Sequence, residues 1–197
     1  METLADDERL DLARDISLAA LVGEGVYNFG EVLAKPILAE LSAAGLRWLA
    51  ELLQSFNRGD IDQFNSIVAA NQSAMESQPA LANSMDALKQ KITLLCLMEL
   101  IFSRPPTDRN IPFADIAAAT KLPLDQIEWL LMKSFSDGVV KGVIDGVEHK
   151  VDVSWVQPRV LEPVQVQSML EKVTVWRERV GETLTFVEGA GVSELFN

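Results

Sequence analysis

Apolar positions recur with a helical period through the first half of the chain and then change character. Leu12, Ile16, Ala19 and Ala20 mark one helix, ending near Gly23-Glu24-Gly25. Tyr27 and Phe29 open a second segment carrying Val32, Leu33, Ile37, Leu38 and Leu41. Pro36 lies inside that segment and must kink it or mark a true helix start, because its ring fixes φ and removes an N–H donor. Leu46, Leu49, Leu53 and Phe56 fall on one face of a third helix, which stops at Asn57-Arg58-Gly59 with Gly59 as its C-terminal cap. Asp60 caps a fourth helix bearing Ile61, Phe64, Ile67 and Val68. Helix, Gly-Asp turn, helix is the unit of α-solenoids, in which each hairpin buries its face only against its neighbours. No strict sequence repeat accompanies it. The polar stretch Asn71 to Asn83, with Pro79, reads as a loop and the softest internal boundary.

The second half reads differently. Leu88 to Phe102 is apolar almost all round, as a helix sandwiched between layers would be, and it stops at Arg104-Pro105-Pro106. An extended piece, Asn110 to Phe113, leads into a small helix, Asp115 to Thr120. The turn Lys121 to Leu124 follows, then a second helix from Asp125 to Asp137, ended by Gly138. Asp125 and Glu128 form a D-x-x-E variant of the capping box, with Leu124 and Trp129 at the staple positions. Asp145-Gly146 signals a two-residue hairpin turn, which would pair Ile144 with Val147, Gly142 with His149 and Val140 with Val151. Alternation then puts Val140, Ile144, Val147, Val151, Val153 and Trp155 on one face, and Lys141, Glu148, Lys150 and Asp152 on the other. Lys150 to Val156 becomes an outer strand with an exposed edge. After Gln157-Pro158-Arg159, an apolar seam from Val166 to Val187 alternates three- and four-residue steps, coiled-coil-like over about three heptads.

These elements predict a mainly α chain. Residues 1–85 form paired helical repeats of the TPR or HEAT kind, 86–160 a winged helix with a small β-hairpin, and 161–197 a long C-terminal helix. A winged helix is most often a DNA reader whose second helix enters the major groove. Here that helix carries Asp125, Glu128, Lys133 and Asp137, a net acidic set that would repel phosphates. The module is therefore read as a protein-contact surface.

Composition sharpens this reading. The 197 residues are 48% hydrophobic and 23% charged, which is globular, and the net charge of −12 argues against nucleic acid or an anionic membrane as the main partner. A single cysteine, Cys96, rules out an internal disulfide framework and sits mid-helix like a small hydrophobe in a reducing compartment. The longest apolar run, Leu94 to Phe102, is interrupted by Glu99 and falls short of the roughly 20 residues that span a bilayer. The acidic N-terminus shows no basic n-region, so the expected location is cytoplasm and nucleus.

Candidate chemistry is sparse. His149, the sole histidine, falls on the apolar hairpin face and is read as a core or rim residue. One His and one distant Cys do not make a zinc site, and the helix around Cys96 offers no base to activate the thiol. Gly23, Gly25 and Gly30 fit neither nucleotide-loop pattern and follow a helix, so they read as an interhelical turn. Asp6-Asp7 and Asp60-Asp62 stand at helix starts, where they serve as caps and dipole partners. Glu182, Glu188 and Glu194 read as a solvated face. No catalytic, cofactor-binding, metal or small-molecule site is expected.

Helical hairpins, a winged helix and a long terminal helix make a layout that resembles the PCI domain family. The runs Ser17 to Glu31 (SLAALVGEGVYNFGE), Lys91 to Glu99 (KITLLCLME) and Trp155 to Leu161 (WVQPRVL) resemble the proteasome-lid branch of that family. The resemblance implies a longer native protein, with further helical repeats before Met1. It implies a non-catalytic scaffold whose partners are other PCI-type lid subunits, with winged helices side by side and terminal helices in a bundle. By position, the winged-helix contacts would involve Val139, Lys141, Val143, Lys150, Val151, Val153 and Trp155. The bundle contacts would involve Val166, Met169, Val173, Trp176, Val180, Leu184 and Val187. The alternative is a scaffold of another PCI complex, the signalosome or a translation initiation factor. A nucleic-acid-binding winged helix runs against the charge, and a ubiquitin receptor would need a short apolar recognition helix that does not stand out.

Overall fold

The structure, a computed structural model, describes residues 6–42, 46–105, 108–160 and 163–189. The chain divides between Val160 and Leu161 into two compact units. In the first, α1 (Asp6–Val22) and α2 (Phe29–Leu33) are followed by a 3₁₀ helix at Pro36–Ser42, then α3 (Arg47–Arg58) and α4 (Ile61–Ala70). Pro36 thus starts a helix. α1 differs from expectation in its face. Ala13, Ser17, Ala20 and Leu21 are buried, whereas Leu12 is exposed and Ala19 faces solvent. The helix contacts the 3₁₀ helix and α3, and its small-residue side permits close approach.

The α3–α4 hinge forms as expected. Gly59 takes a left-handed φ of 65°, and a Cβ there would lie 2.8 Å from the Cα and N of Cys96. Glycine is therefore required twice over, by conformation and by space. Asp60 accepts a hydrogen bond from the Gln63 amide at 2.9 Å, capping α4. Phe29, Phe56 and Phe64 pack in sequence across α2, α3 and α4, the first pair tilted and the second edge-to-face, with centroids 5.2 and 5.6 Å apart.

The polar stretch expected to be a loop is two short helices, α5 (Gln72–Glu76) and α6 (Pro79–Ala82). Pro79 begins a helix at its first turn, where its missing N–H costs nothing. Met75 and Leu81 anchor the pair in the core, too sparse a pattern for periodicity to reveal. α7 (Met85–Ser103) runs through the centre, touching α1, α3, α4 and the winged-helix elements. One core cluster extends from Ala13 to Val153, so hairpins and winged helix share an interior.

The winged helix comprises β1 (Asn110–Pro112), α8 (Phe113–Thr120), α9 (Leu124–Ser136), β2 (Val140–Asp145) and β3 (Lys150–Val156). α9 begins one residue earlier than expected, at Leu124 after an extended Pro123, and no side chain caps it. The anticipated capping box and staple are therefore absent. Leu124 and Trp129 are 60% and 52% exposed instead.

The hairpin also departs from the expected pairing. Asp145 pairs with Lys150 and Ile144 with Val151, leaving Gly146 to His149 as the loop. The Asp145 carboxylate accepts hydrogen bonds from the Val147 and Glu148 amides, both at 3.0 Å, and His149 takes a φ of 49°. An aspartate that binds its own backbone favours this longer loop over a two-residue turn. Val147 ends up solvent-exposed and His149 lies in the loop, neither on the apolar face. A bulge follows, since Lys141 pairs with Trp155 but Gly142 with Val153. The extra residue, Ser154, reverses the alternation and turns Trp155 to the outer face.

The strand order is β1-β3-β2, antiparallel throughout. β3 is central and the expected outer edge is not there, because β1 covers it through Asn110↔Asp152 and Ile111↔Val151. The second unit contains α10 (Pro163–Gly189), an uninterrupted helix covering the predicted seam. Glu194 lies outside the described residues.

Candidate functional site

The winged-helix sheet leaves β2 as its uncovered long strand. Beside it lie Lys141, Val143 (71% exposed) and Trp155, with the Lys141 ammonium 4.9 Å from the Trp155 ring centroid. Ser154 donates to the Lys141 carbonyl at 3.1 Å and stabilises the bulge that brings the two side chains together. Lys150 is half-buried and paired with Glu148, whose hydrogen bond raises its pKa. Val139, Val151 and Val153 are core residues. Of the hairpin residues singled out from sequence, Lys141, Val143 and Trp155 share a surface, and the buried valines hold it in place.

A second surface escaped the sequence reading. The outer face of α9 exposes Leu124, Trp129 and Met132 with Asp125 and Glu128, opposite buried Ile127, Leu130, Leu131 and Ser134. Helical spacing from Ile127 and Leu131 could have shown that Trp129 points away from the core. Carboxylates beside those apolar groups make this face unsuited to a phosphate backbone.

The seam of α10 is exposed along its length, at Val166, Met169, Val173, Trp176, Val180, Leu184 and Val187. Leu170, Val175 and Phe186 are exposed too, so the apolar band is broader than the heptad positions alone. A single helix in isolation cannot bury such a stripe.

The interior holds perturbed but occupied groups. Lys91 is 7% exposed and donates to the carbonyls of Ala20, Leu21 and Gly23 at 2.8, 3.0 and 2.9 Å, closing the C-terminal end of α1. Its ammonium lies 5.1 Å from the Phe29 ring centroid, and burial pulls its pKa down to about 8. The sequence reading passed over this lysine. Its place three residues after Leu88 and four before Leu95, on the buried side of the helix, was the available signal of its burial. Tyr27 donates to Asp137 at 2.9 Å, and burial followed by that bond pushes its pKa up to about 12. Burial pushes the Cys96 thiol up to about 11, which makes it a poor nucleophile. A cleft of about 410 Å³ lies beside Lys91, Tyr27 and Asp137, where all three are engaged with protein partners. Gly23 and Gly25 form the interhelical turn. Among the described residues no group of three or more His, Cys, Asp or Glu is placed to hold a metal ion, and no helix is long and apolar enough to cross a membrane.

Comparison with known proteins matches residues 1–53 to the PSD13 N-terminal repeats and residues 68–155 to the PCI domain. The 26S proteasome non-ATPase regulatory subunit 13 homolog B of Arabidopsis thaliana is 45% identical over 188 residues, covering 95% of this chain and 49% of that protein. The Dictyostelium discoideum 26S proteasome non-ATPase regulatory subunit 13 is 43% identical over the same shares. The 26S proteasome regulatory subunit RPN9 of Saccharomyces cerevisiae is 38% identical, over 94% of this chain and 46% of its own length. The chain thus spans about half the length of the curated relatives it matches. With the central α7 and the three-stranded winged helix, these matches identify residues 68–155 as a PCI domain.

Proposed function

We propose that the chain is a non-catalytic scaffold of the proteasome regulatory-particle lid, supporting ubiquitin-dependent proteolysis by holding other PCI-type subunits in place. The observation that carries the reading is the exposed apolar band of α10, which needs a partner to leave water. The names of the relatives supply the context for that partner. Two contacts are assigned. Lys141, Val143 and Trp155 beside β2 meet a neighbouring winged helix, and the seam from Val166 to Val187 enters a helical bundle. Residues 1–85, 86–160 and 161–197 then serve as repeat segment, winged helix and bundle helix. The net charge of −12 and the acidic face of α9 support protein, not nucleic acid or membrane, as the partner. The proposed location is cytoplasm and nucleus.

The test is affinity purification of the full-length protein from its own cells, with and without the residues after Pro163, and mass spectrometry of what co-purifies. Lid subunits at near-equal stoichiometry with the intact protein, and their loss with the shortened one, are expected. Recovery of a different PCI complex would remove the proteasome assignment. Normal assembly of the shortened protein would remove the bundle role.

A further inference from the structure

The three runs that carry the family resemblance lie far apart in sequence, yet the fold ties them into one network. The Lys91 ammonium binds the carbonyls of Ala20, Leu21 and Gly23, joining the second run to the first. Arg159, from the third run, forms an ion pair with Glu99 at the end of the second and donates to the Asn57 carbonyl at 3.2 Å. The Val160 amide donates to the Asn28 side chain of the first run at 3.1 Å. Gly30 packs beneath the same residue, where a Cβ would come within 2.9 Å of the Val160 Cβ and carbonyl oxygen. The Gln157 amide is held by the Val139 carbonyl at 2.8 Å. Gln157 to Val160 is the last segment of the first compact unit, immediately before the chain continues toward α10.

Four residues without regular secondary structure would ordinarily be a pliable connection. These are not. The Arg159 side chain is 10% exposed and that of Glu99 is 31% exposed, so the ion pair is largely shielded from solvent screening. The planar guanidinium commits its two terminal nitrogens to two partners at once, a carboxylate from α7 and a carbonyl at the end of α3. Asn28 and Gly30 then register the next residue against the start of α2.

We infer that Gln157 to Val160 is a clamped exit strap, with Arg159 as its positioning residue, that fixes the point at which the chain leaves the first compact unit, and that assembly depends on it. The dependence on assembly rests on the scaffold reading above. The clamp itself does not.

Hydrogen exchange on the full-length chain, with partner recovery from cells, tests both parts. Arg159→Met and Asn28→Ala should each speed exchange at the Val160 amide by about tenfold, the scale of losing one anchoring hydrogen bond, while α7 amides keep their rates. Arg159→Lys, a point charge that reaches one acceptor at a time, should fall between. Recovery of partners should drop several-fold with Arg159→Met. Unchanged exchange at Val160 in both Asn28→Ala and Arg159→Met overturns the clamp. Faster exchange with full recovery of partners overturns its role in assembly. If removal of α10 also leaves recovery intact, the scaffold reading is what has failed, and the exchange rates still decide the clamp.

Discussion

Replacing Lys91 by methionine tests the least expected feature of the interior. Three carbonyls at the C-terminal end of α1 accept from one ammonium at 2.8 to 3.0 Å. A methionine side chain would fill similar volume but donate nothing. Each carbonyl left without a partner costs about 1 kcal/mol, and the thioether gains back roughly 1 kcal/mol against Phe29, so a net loss of about 2 kcal/mol is expected near pH 10, where the desolvation cost of the ammonium no longer offsets it. With a urea m-value near 2 kcal/mol/M, the midpoint should fall by about 1 M. The pH dependence is sharper. Lys91 falls from 10.5 in the free side chain to about 8 in the fold. Between those values the unfolded chain holds a proton that the folded chain has released, so the wild type gains stability as pH rises, by up to about 3 kcal/mol in all. Lys91→Met lacks that gain. Cys96 acts in the opposite sense, because its thiol rises from 9.0 to about 11, so stability falls as pH climbs through that window. Both proteins share Cys96, and the difference between them isolates the lysine. The assay is urea unfolding followed by far-UV circular dichroism from pH 7 to pH 10. A variant as stable as wild type at pH 10 would refute the capping role. A difference that stays constant with pH would refute the desolvation.

Other outcomes follow from single sites. Gly59→Ala should destabilise the chain by about 2 kcal/mol or more by thermal unfolding, because its Cβ meets the α7 backbone at a positive φ. Asp60→Ala should cost about 1 kcal/mol through loss of the α4 cap, and Asp60→Asn should restore most of it. Tyr27 is the sole tyrosine, so absorbance titration of the phenolate should give a midpoint near 12 while the fold persists, moving down in Asp137→Asn. Trp176→Ala should leave the unfolding free energy of the isolated chain within about 0.5 kcal/mol of wild type, since that side chain is 66% exposed, yet reduce partner recovery.

Local signals in the sequence determined a good deal. The α3 and α4 helices, the Gly59–Asp60 hinge and the helical seam from Val166 to Val187 were legible because a cap, a left-handed glycine or an apolar period acts within a turn or two of its own position. So were the apolar α7 and the helix–turn–helix–hairpin order of the winged helix. The candidate surface was half legible. The α10 seam could be read directly, whereas the hairpin residues were found without knowing which face each would take. Tertiary structure decided the rest. β3 became the central strand because β1 reached it from some forty residues earlier in the chain, and the Ser154 bulge turned Trp155 outward. Ala13 and Ser17, not Leu12, became the inner side of α1 because its neighbours pack closely against small side chains. Lys91 and Arg159 found their partners across 68 to 71 and 60 to 102 residues of chain. No local pattern announces such contacts. A buried cation is tolerated only where distant carbonyls and carboxylates converge on it, and that convergence exists only once the helices have packed.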